Sequence, residues 1–475
     1  MIRVVIIILV IAMINDVRAD PERPNIILIM CDDLGWGDVG FNGNQIIQTP
    51  NLDAMADSGI KFNRFYAAAP VCSPTRGSVL TGRHPYRYGI YYANTGHIKP
   101  KEFTLAEILK TNGYRTGHFG KWHLGTLTTK VNDANRGGPK GFKHFAPPQD
   151  NGFEVCFSTE SKVPTWDPTV VPRTFNKGSS RRLWWDPVTD GNNTEHYGTR
   201  YWDQKGQEVN DNLKGSNARV IMDRAIPFMK DALKSKAPFF SVIWFHTPHL
   251  PVVAGAKYTK MYETYSKYKQ HYFGCITAMD EQIGRLRKAL KESNAHENTM
   301  IWFCSDNGPE GKESAPGKTG GFRGRKRSLY EGGIRVPALL EWPAKIPKKE
   351  IIDCPAGTID YLPTILSSLD IRLPDKRPID GINLIPIITN KVKERGTAMG
   401  FQSNSVASLI TDRYKIILKN KNKTIELYDL INDPFEKDDL ALIMVDKASK
   451  LKTELNSWII SCSKSDQGKD YQKPD

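Results

Sequence analysis

Cysteine is scarce in this chain, with seven in 475 residues and no CxxC pair. That excludes a small disulfide-built scaffold. With Cys72 set aside for reasons given below, the other six leave up to three disulfides open. Of these, Cys31 and Cys304 sit inside apolar runs and read as buried free thiols. Clustered His and Cys ligands of the zinc type are also missing. There are no internal repeats, which excludes a solenoid or propeller. Beyond the first 14 residues no apolar stretch is long enough to span a bilayer, so a transmembrane protein is not expected. The one early run, Val4 to Ile14, follows Arg3 and precedes Val17-Arg18-Ala19. It is too short to span and reads as a signal peptide, residues 1–19, cleaved before Asp20. A secreted, lysosomal or periplasmic protein follows from that reading.

What is present is ordinary globular material: 39% hydrophobic and 25% charged residues. Lysine and arginine outnumber the acids. Removing residues 1–19 takes out Arg3, Arg18 and Asp16, so the formal charge falls from +14 to +13. A basic exported protein attracts anionic partners, and sulfated or carboxylated glycans suit that setting better than nucleic acid. Asn192 and Asn422 each open an acceptor triplet for N-glycosylation, usable in a eukaryotic host.

Four apolar runs read as buried strands: Asn25–Cys31, Tyr114–Phe119, Phe239–Phe245 and Met300–Ser305. Each ends in polar residues: Asp32-Asp33, Gly120-Lys121-Trp122-His123, His246 and Asp306-Asn307. Helical patterns lie between them. Thr104 to Glu107 is a capping box, Thr49-Pro50 opens a helix that closes at Gly59, and residues 217–235 form a third with Pro227 as a kink. Alternating strands and helices predict an α/β sheet with helices on both faces. Ligands of such sheets gather at the carboxyl ends of the strands, where all four polar clusters lie. After about residue 400 the texture shifts to short strands at 406–410, 414–418 and 425–428, then a helix at 445–460. The predicted organisation is a catalytic domain over 20–385 and a small C-terminal domain over 386–475. Residues 154–215 are irregular and rich in Trp, Pro, Gly and Asn, which points to a functional insertion.

The segment Cys72-Ser73-Pro74-Thr75-Arg76, continuing through Thr81-Gly82-Arg83, resembles the C-x-P-x-R signature of the type I sulfatases. Other motifs follow in the family's order: Asp32-Asp33, Gly120 to Gly125, His246-Thr247-Pro248-His249, Ser305 to Gly308, Gly324-Arg325-Lys326 and Tyr330 to Gly333. The resemblance spans residues 23 to 440. It implies the alkaline-phosphatase-like α/β fold, with a central mixed sheet between helices and a small C-terminal antiparallel sheet plus helix.

The resemblance also implies the chemistry, which is hydrolysis of a sulfate ester. A formylglycine-generating enzyme oxidises Cys72 during maturation, and the resulting hydrate is the nucleophile. Asp32, Asp33, Asp306, Asn307 and residue 72 are expected to hold one Ca²⁺; an all-oxygen set suits a hard cation. Arg76 and Lys121 are expected to neutralise and orient the nucleophile, and His123 to take the proton that releases sulfate. His246 and Lys326 are expected to contact the sulfate, one of them protonating the leaving oxygen. The family's serine between Lys121 and His246 has no clear match.

Two other motifs lose on inspection. Gly35 to Gly40 fits G-x-G-x-x-G, but Asp32 and Asp33 repel a pyrophosphate and a turn follows where a helix is needed. Arg323 to Arg327 looks like a nuclear signal, which the export signal contradicts. A phosphatase or phosphodiesterase of the same superfamily is the first alternative; Cys72 and Asn307 argue against it. An inactive glycan-binding relative is the second. For substrate, a sulfated carbohydrate is favoured over an aryl or steroid sulfate. The segment Val163–Pro168 with Trp184, Trp185, Tyr197 and Tyr201 offers rings on which sugars stack, or else forms the packed core of the insertion.

Overall fold

The structure is a computed structural model that describes residues 23–420 and 423–471. The segment read as a signal peptide and the acceptor Asn422 lie outside the described residues. Four parallel strands form the centre: β1 (Asn25–Cys31), β2 (Arg115–Lys121), β3 (Phe239–Trp244) and β4 (Thr299–Ser305). They lie side by side in the order β4, β1, β3, β2. Met30 faces Trp244 on one side and Cys304 on the other, and Trp244 faces Gly120. The four strands therefore end at one level. The residues just beyond them converge, although they are far apart in the chain, as Asp32 and Asp306 are.

The continuous apolar runs follow from burial on both faces. Ile26, Leu28 and Met30 pack with Val79, Leu80, Leu362 and Ile365 on one side. Ile27, Ile29 and Cys31 pack with Ile221, Ala225, Ile276 and Ile283 on the other. β2 departs from this pattern, with Gly117, His118 and Gly120 in its middle. The backbone at Gly120 has φ 109°, and a Cβ there would lie 2.0 Å from the Trp244 carbonyl oxygen. Only glycine allows the close approach that brings Lys121 over the end of β3.

The full sheet has ten strands and is mixed. Ala338–Glu341 runs antiparallel beside β4, and Val155–Thr159 runs parallel beside β2. The mixed sheet that the resemblance implies is thus present; its antiparallel and edge strands have no signal of their own in the sequence because they are short and carry no long apolar run. The predicted capping box forms: Thr104 Oγ1 accepts from the Glu107 N–H at 3.1 Å, and Glu107 Oε2 accepts from the Thr104 N–H at 2.8 Å. The helix Asn217–Lys234 carries Pro227 inside it.

A second, antiparallel sheet holds Met399–Ser403, Val406–Ile410, Tyr414–Lys419 and Thr424–Asp429, followed by the helix Val445–Asp466. Its first strand is an addition to the three expected. One face buries Leu409, Leu418 and Leu427 under Leu451 and Leu455; the other packs Phe401, Ile410 and Ile417 on Tyr66, Ile334 and Ile359. All seven cysteines are buried and none is in a disulfide. Cys31 and Cys304 are the buried thiols expected, while no cross-link joins the rest. No helix among the described residues is long and apolar enough to cross a membrane.

Candidate active site

The chain leaves β1 at Cys31 and turns at once, with Asp33 in the left-handed region at φ 68°. This turn, unusual for a residue with a side chain, places both carboxylates over the sheet end. The Asp32 N–H donates to the Thr247 carbonyl at 3.0 Å, and the Asp306 N–H donates to that of Cys31 at 3.1 Å. β1, β3 and β4 are thus stitched together immediately below the site. Cys72 begins the helix Cys72–Thr81, whose residues are all buried. Cys72 itself is 2% exposed. The unbonded N–H groups of the first helical turn favour a negative charge at this point.

Three carboxylates meet three cations here. Lys121 Nζ donates to Asp32 Oδ2 at 2.6 Å, Lys326 Nζ to Asp33 Oδ1 at 2.5 Å, and Arg76 to Asp306 Oδ2 at 2.6 Å. Asn307 Nδ2 donates to Asp33 Oδ1 at 2.7 Å, which leaves its own oxygen free. Burial raises Asp32, but Lys121, His249 and Arg76 outweigh it and hold the group well below the usual carboxylate range. Asp306 is pushed up to about 7, first by burial and then by the facing Asp32. Burial lowers Lys326, yet Asp33 keeps it above the ordinary lysine range, so it stays an ammonium.

A cation fits this cluster. Asp32 Oδ1, Asp33 Oδ2 and Asn307 Oδ1 are buried oxygens without a hydrogen-bond partner. Ligand atoms of Asp32, Cys72 and Asp306 lie within 4.8 Å of one another. Orphaned oxygens of this kind are costly unless something positive meets them.

His123, at φ 57°, hangs over the same floor. Its Nε2 lies 2.7 Å from Asn94 Oδ1, which also accepts from Asn135 Nδ2 at 3.1 Å. An amide oxygen only accepts, so Nε2 carries the proton. Nδ1 is then a bare, buried acceptor with no partner. Burial, then Lys121 and Arg76, hold this imidazole well below its usual range, so it is neutral.

Of the predicted site residues, Cys72, Arg76, Lys121, His123, Lys326, Asp32, Asp33, Asp306 and Asn307 come together. His246 does not. Its two ring nitrogens contact Thr159 Oγ1 at 2.7 Å and Asn217 Oδ1 at 3.0 Å, and it is fully buried behind the sheet end. A tight turn, His249 N–H to His246 carbonyl at 2.8 Å, swings the second histidine of the same motif to the front. His249 lines the cavity with Cys72, and its Nε2 is 3.7 Å from Asp33 Oδ2. The motif held both histidines, but only the turn tells them apart.

The cavity above has a volume of about 750 Å³. Asn94, Ser161 and Lys162 line it too, and no motif pointed to them. The basic run at 323–327 is already committed. Arg323 bonds Tyr428, Arg325 the carbonyls of Glu310 and Gly317, and Arg327 both oxygens of Glu310. The aromatic insertion is a packed core: Trp184, Trp185, Tyr197 and Tyr201 are all buried. It offers no exposed stacking surface from these rings.

Residues 24–371 match the family model described as Sulfatase, and residues 320–464 match that of the N-sulphoglucosamine sulphohydrolase C-terminal region. The chain is 30% identical over 417 residues to N-acetylgalactosamine-6-sulfatase of Canis lupus familiaris, covering 83% of this chain and 72% of that one. It is also 30% identical over 404 residues to arylsulfatase G of Mus musculus, covering 81% and 72%. The solved structure of Ps i-CgsB superposes with a TM-score of 0.78 at 27% identity, covering 92% of this chain and 93% of the other. Motif order, sheet topology and these matches agree: the chain belongs to the sulfatases, sulfuric ester hydrolases with an alkaline-phosphatase-like fold.

Proposed function

We propose that the protein removes sulfate from a sulfated carbohydrate, with residue 72, as formylglycine, for nucleophile and one Ca²⁺ on its floor. The observation that carries this is Cys72 at the start of its buried helix, grouped with Asp32 and Asp306 in a cluster where buried oxygens of Asp32, Asp33 and Asn307 have no partner. Asp32, Asp33, Asp306, Asn307 and residue 72 would hold the cation. When bound, it supplies positive charge to the sulfate oxygens and to the attacking hydroxyl. Formylglycine supplies a geminal diol, one hydroxyl to attack sulfur and the other to give up a proton as sulfate leaves.

The chain's own side chains do the rest. Arg76 and Lys121 fix and neutralise the carboxylates of Asp306 and Asp32, which would leave the cation's charge for the sulfate. Lys326, locked to Asp33 as an ammonium, meets a sulfate oxygen. His249 takes the role first given to His246: its Nδ1 donates to the Leu250 carbonyl at 2.6 Å, so Nε2 faces the cavity; burial holds the free ring down to about 4, and the proton that Nε2 passes to the leaving oxygen is one taken up from solvent as the sulfate anion binds. His123 Nδ1 accepts the proton that releases sulfate. Export through the N-terminal segment would give residue 72 access to the converting enzyme. A carbohydrate is supported by the relatives: one is named for a sulfated amino sugar, and Ps i-CgsB was solved with k-i-k-neocarrahexaose.

Peptide mass spectrometry on active protein tests the nucleophile. Formylglycine at residue 72 is expected, and an intact thiol in a fully active sample would overturn the reading. A panel of sulfated saccharides set against an aryl sulfate tests the substrate class, with the higher kcat/KM expected for a saccharide.

A further inference from the structure

A smaller cavity of about 270 Å³ adjoins the catalytic one and shares Asn135, Ser161, Lys162 and Arg182 with it. The wall between them is a hydrogen-bonded chain. His123 meets Asn94, Asn135 bonds Asn94, and Asn135 Nδ2 donates to Ser161 Oγ at 3.1 Å. The annexe therefore starts about one side chain from the proposed base. Its cations differ from those of the floor. Lys162 is half-buried and Arg182 exposed, and no carboxylate of the described residues lies within salt-bridge reach of either. Neighbouring Arg181 is spoken for: it bonds Glu195 Oε1 at 2.6 Å and lies over the Tyr197 ring.

The position of Arg182 is built in. The turn that carries it closes with Leu183 N–H to Ser180 carbonyl at 3.0 Å. The turn is tied to the segment after His249 by Val252 N–H to Leu183 carbonyl at 2.8 Å, and buried Trp184 stacks on His271 beneath it. A half-buried ammonium and a guanidinium fork, both uncompensated in a concave site, call for an oxyanion.

We infer that this annexe is a second anion subsite, filled by a carboxylate or sulfate on the sugar next to the one that loses its sulfate. The inference rests on the carbohydrate reading above and narrows it to substrates with anionic groups on adjacent units. A neutral neighbour would leave Lys162 and Arg182 unpaired.

The test is competition against turnover of 4-methylumbelliferyl sulfate, which needs only the catalytic cavity. Three probes are compared: a chondroitin 6-sulfate disaccharide with its uronate intact, the same disaccharide with that carboxyl reduced to the alcohol, and the reduced form sulfated on that unit. The inhibition constant should be lower by about tenfold for at least one anionic neighbour, the worth of one charge-assisted hydrogen bond. Comparing the two anionic probes tells carboxylate from sulfate. Arg182→Ala, at an exposed turn, and Lys162→Gln should each shrink the discrimination to within about threefold. Equal inhibition constants for all three probes, or discrimination untouched in both variants, would overturn the subsite while leaving the sulfatase chemistry standing. Absence of turnover of both the aryl sulfate and the 6-sulfated disaccharide in formylglycine-bearing protein would overturn the proposed reaction, and this inference with it.

Discussion

On the cavity floor Asp32 meets Lys121 at 2.6 Å and Asp33 meets Lys326 at 2.5 Å, all four side chains buried. On the rim Lys162 and Arg182 meet no acid of the described residues, and Arg182 stands in solvent. The floor's charges are paired with one another, so its geometry is fixed before substrate arrives. The rim keeps its charges open. Buried pairs resist dismemberment because each partner left alone is a desolvated ion. Exposed cations cost little to hold and are easily screened. The floor should therefore control the chemistry, and the rim the choice of substrate.

The sharpest way to break that division is to replace the nucleophile. Cys72→Ala should lower kcat by roughly 10⁶-fold, the scale seen when a covalent nucleophile is removed, with denaturation midpoints little changed. Asp306→Ala should also abolish measurable turnover and, unlike Cys72→Ala, destabilise the protein by about 3–5 kcal/mol because Arg76 loses its buried partner. Urea unfolding alongside activity separates the two. Chelation should silence the enzyme reversibly; calcium restored at 100 times its dissociation constant should raise stability by about 2.7 kcal/mol.

The two histidines sharpen the boundary of the floor. His249→Ala should cost about 10²–10⁴-fold in kcat, the usual contribution of a proton-transfer group, at nearly unchanged stability. His246→Ala should chiefly cost stability, about 1–3 kcal/mol, because Thr159 and Asn217 lose a buried partner. Parallel kinetics and denaturation would expose the reverse pattern. Asn94→Ala should cost about tenfold to a hundredfold, since a hydrogen bond to a group that becomes charged is worth about 1.5–3 kcal/mol. The fraction of sulfated enzyme trapped in a quench should rise in that variant, which a merely structural role would not produce.

The smallest effect belongs to the rim. Raising salt from 0.1 to 1 M shortens the screening length from about 10 Å to about 3 Å. The kcat/KM for an anionic oligosaccharide should fall severalfold while that for an aryl sulfate changes less.

The floor was largely legible in the sequence because its residues sit in ordered motifs at the ends of recognisable strands. Asp32 and Asp306 each lie just after, and Lys121 at the end of, a buried central strand. The structure sets His246 behind the floor and His249 at its front for a local reason: two histidines three residues apart sit at the same strand end, and side-chain direction depends on a turn that spacing does not encode. The rim was illegible for a different reason. Lys162 and Arg182 lie in an irregular insertion with no periodicity to assign a face. The tryptophans that suggested a sugar platform turned out to be the insertion's own core, because buried rings are what hold such a stretch together. The short edge strands, and the strand Met399–Ser403, were missed because pairing partners, not local composition, define them.

If residue 72 is converted to formylglycine as proposed, the burial of Cys72 sets an order of events for the newly made chain. Every residue from Cys72 to Arg76 is closed off inside the helix and its surroundings. An enzyme that must grip this stretch and oxidise its thiol has no path to it once the sheet and the second domain-like layer have packed. Under that proposal modification and folding compete in time. A molecule that folds first keeps its thiol as a stable, well-packed and inactive product. The yield of working protein then reports the race between two rates, and slowing folding should raise it where stabilising the finished fold would not.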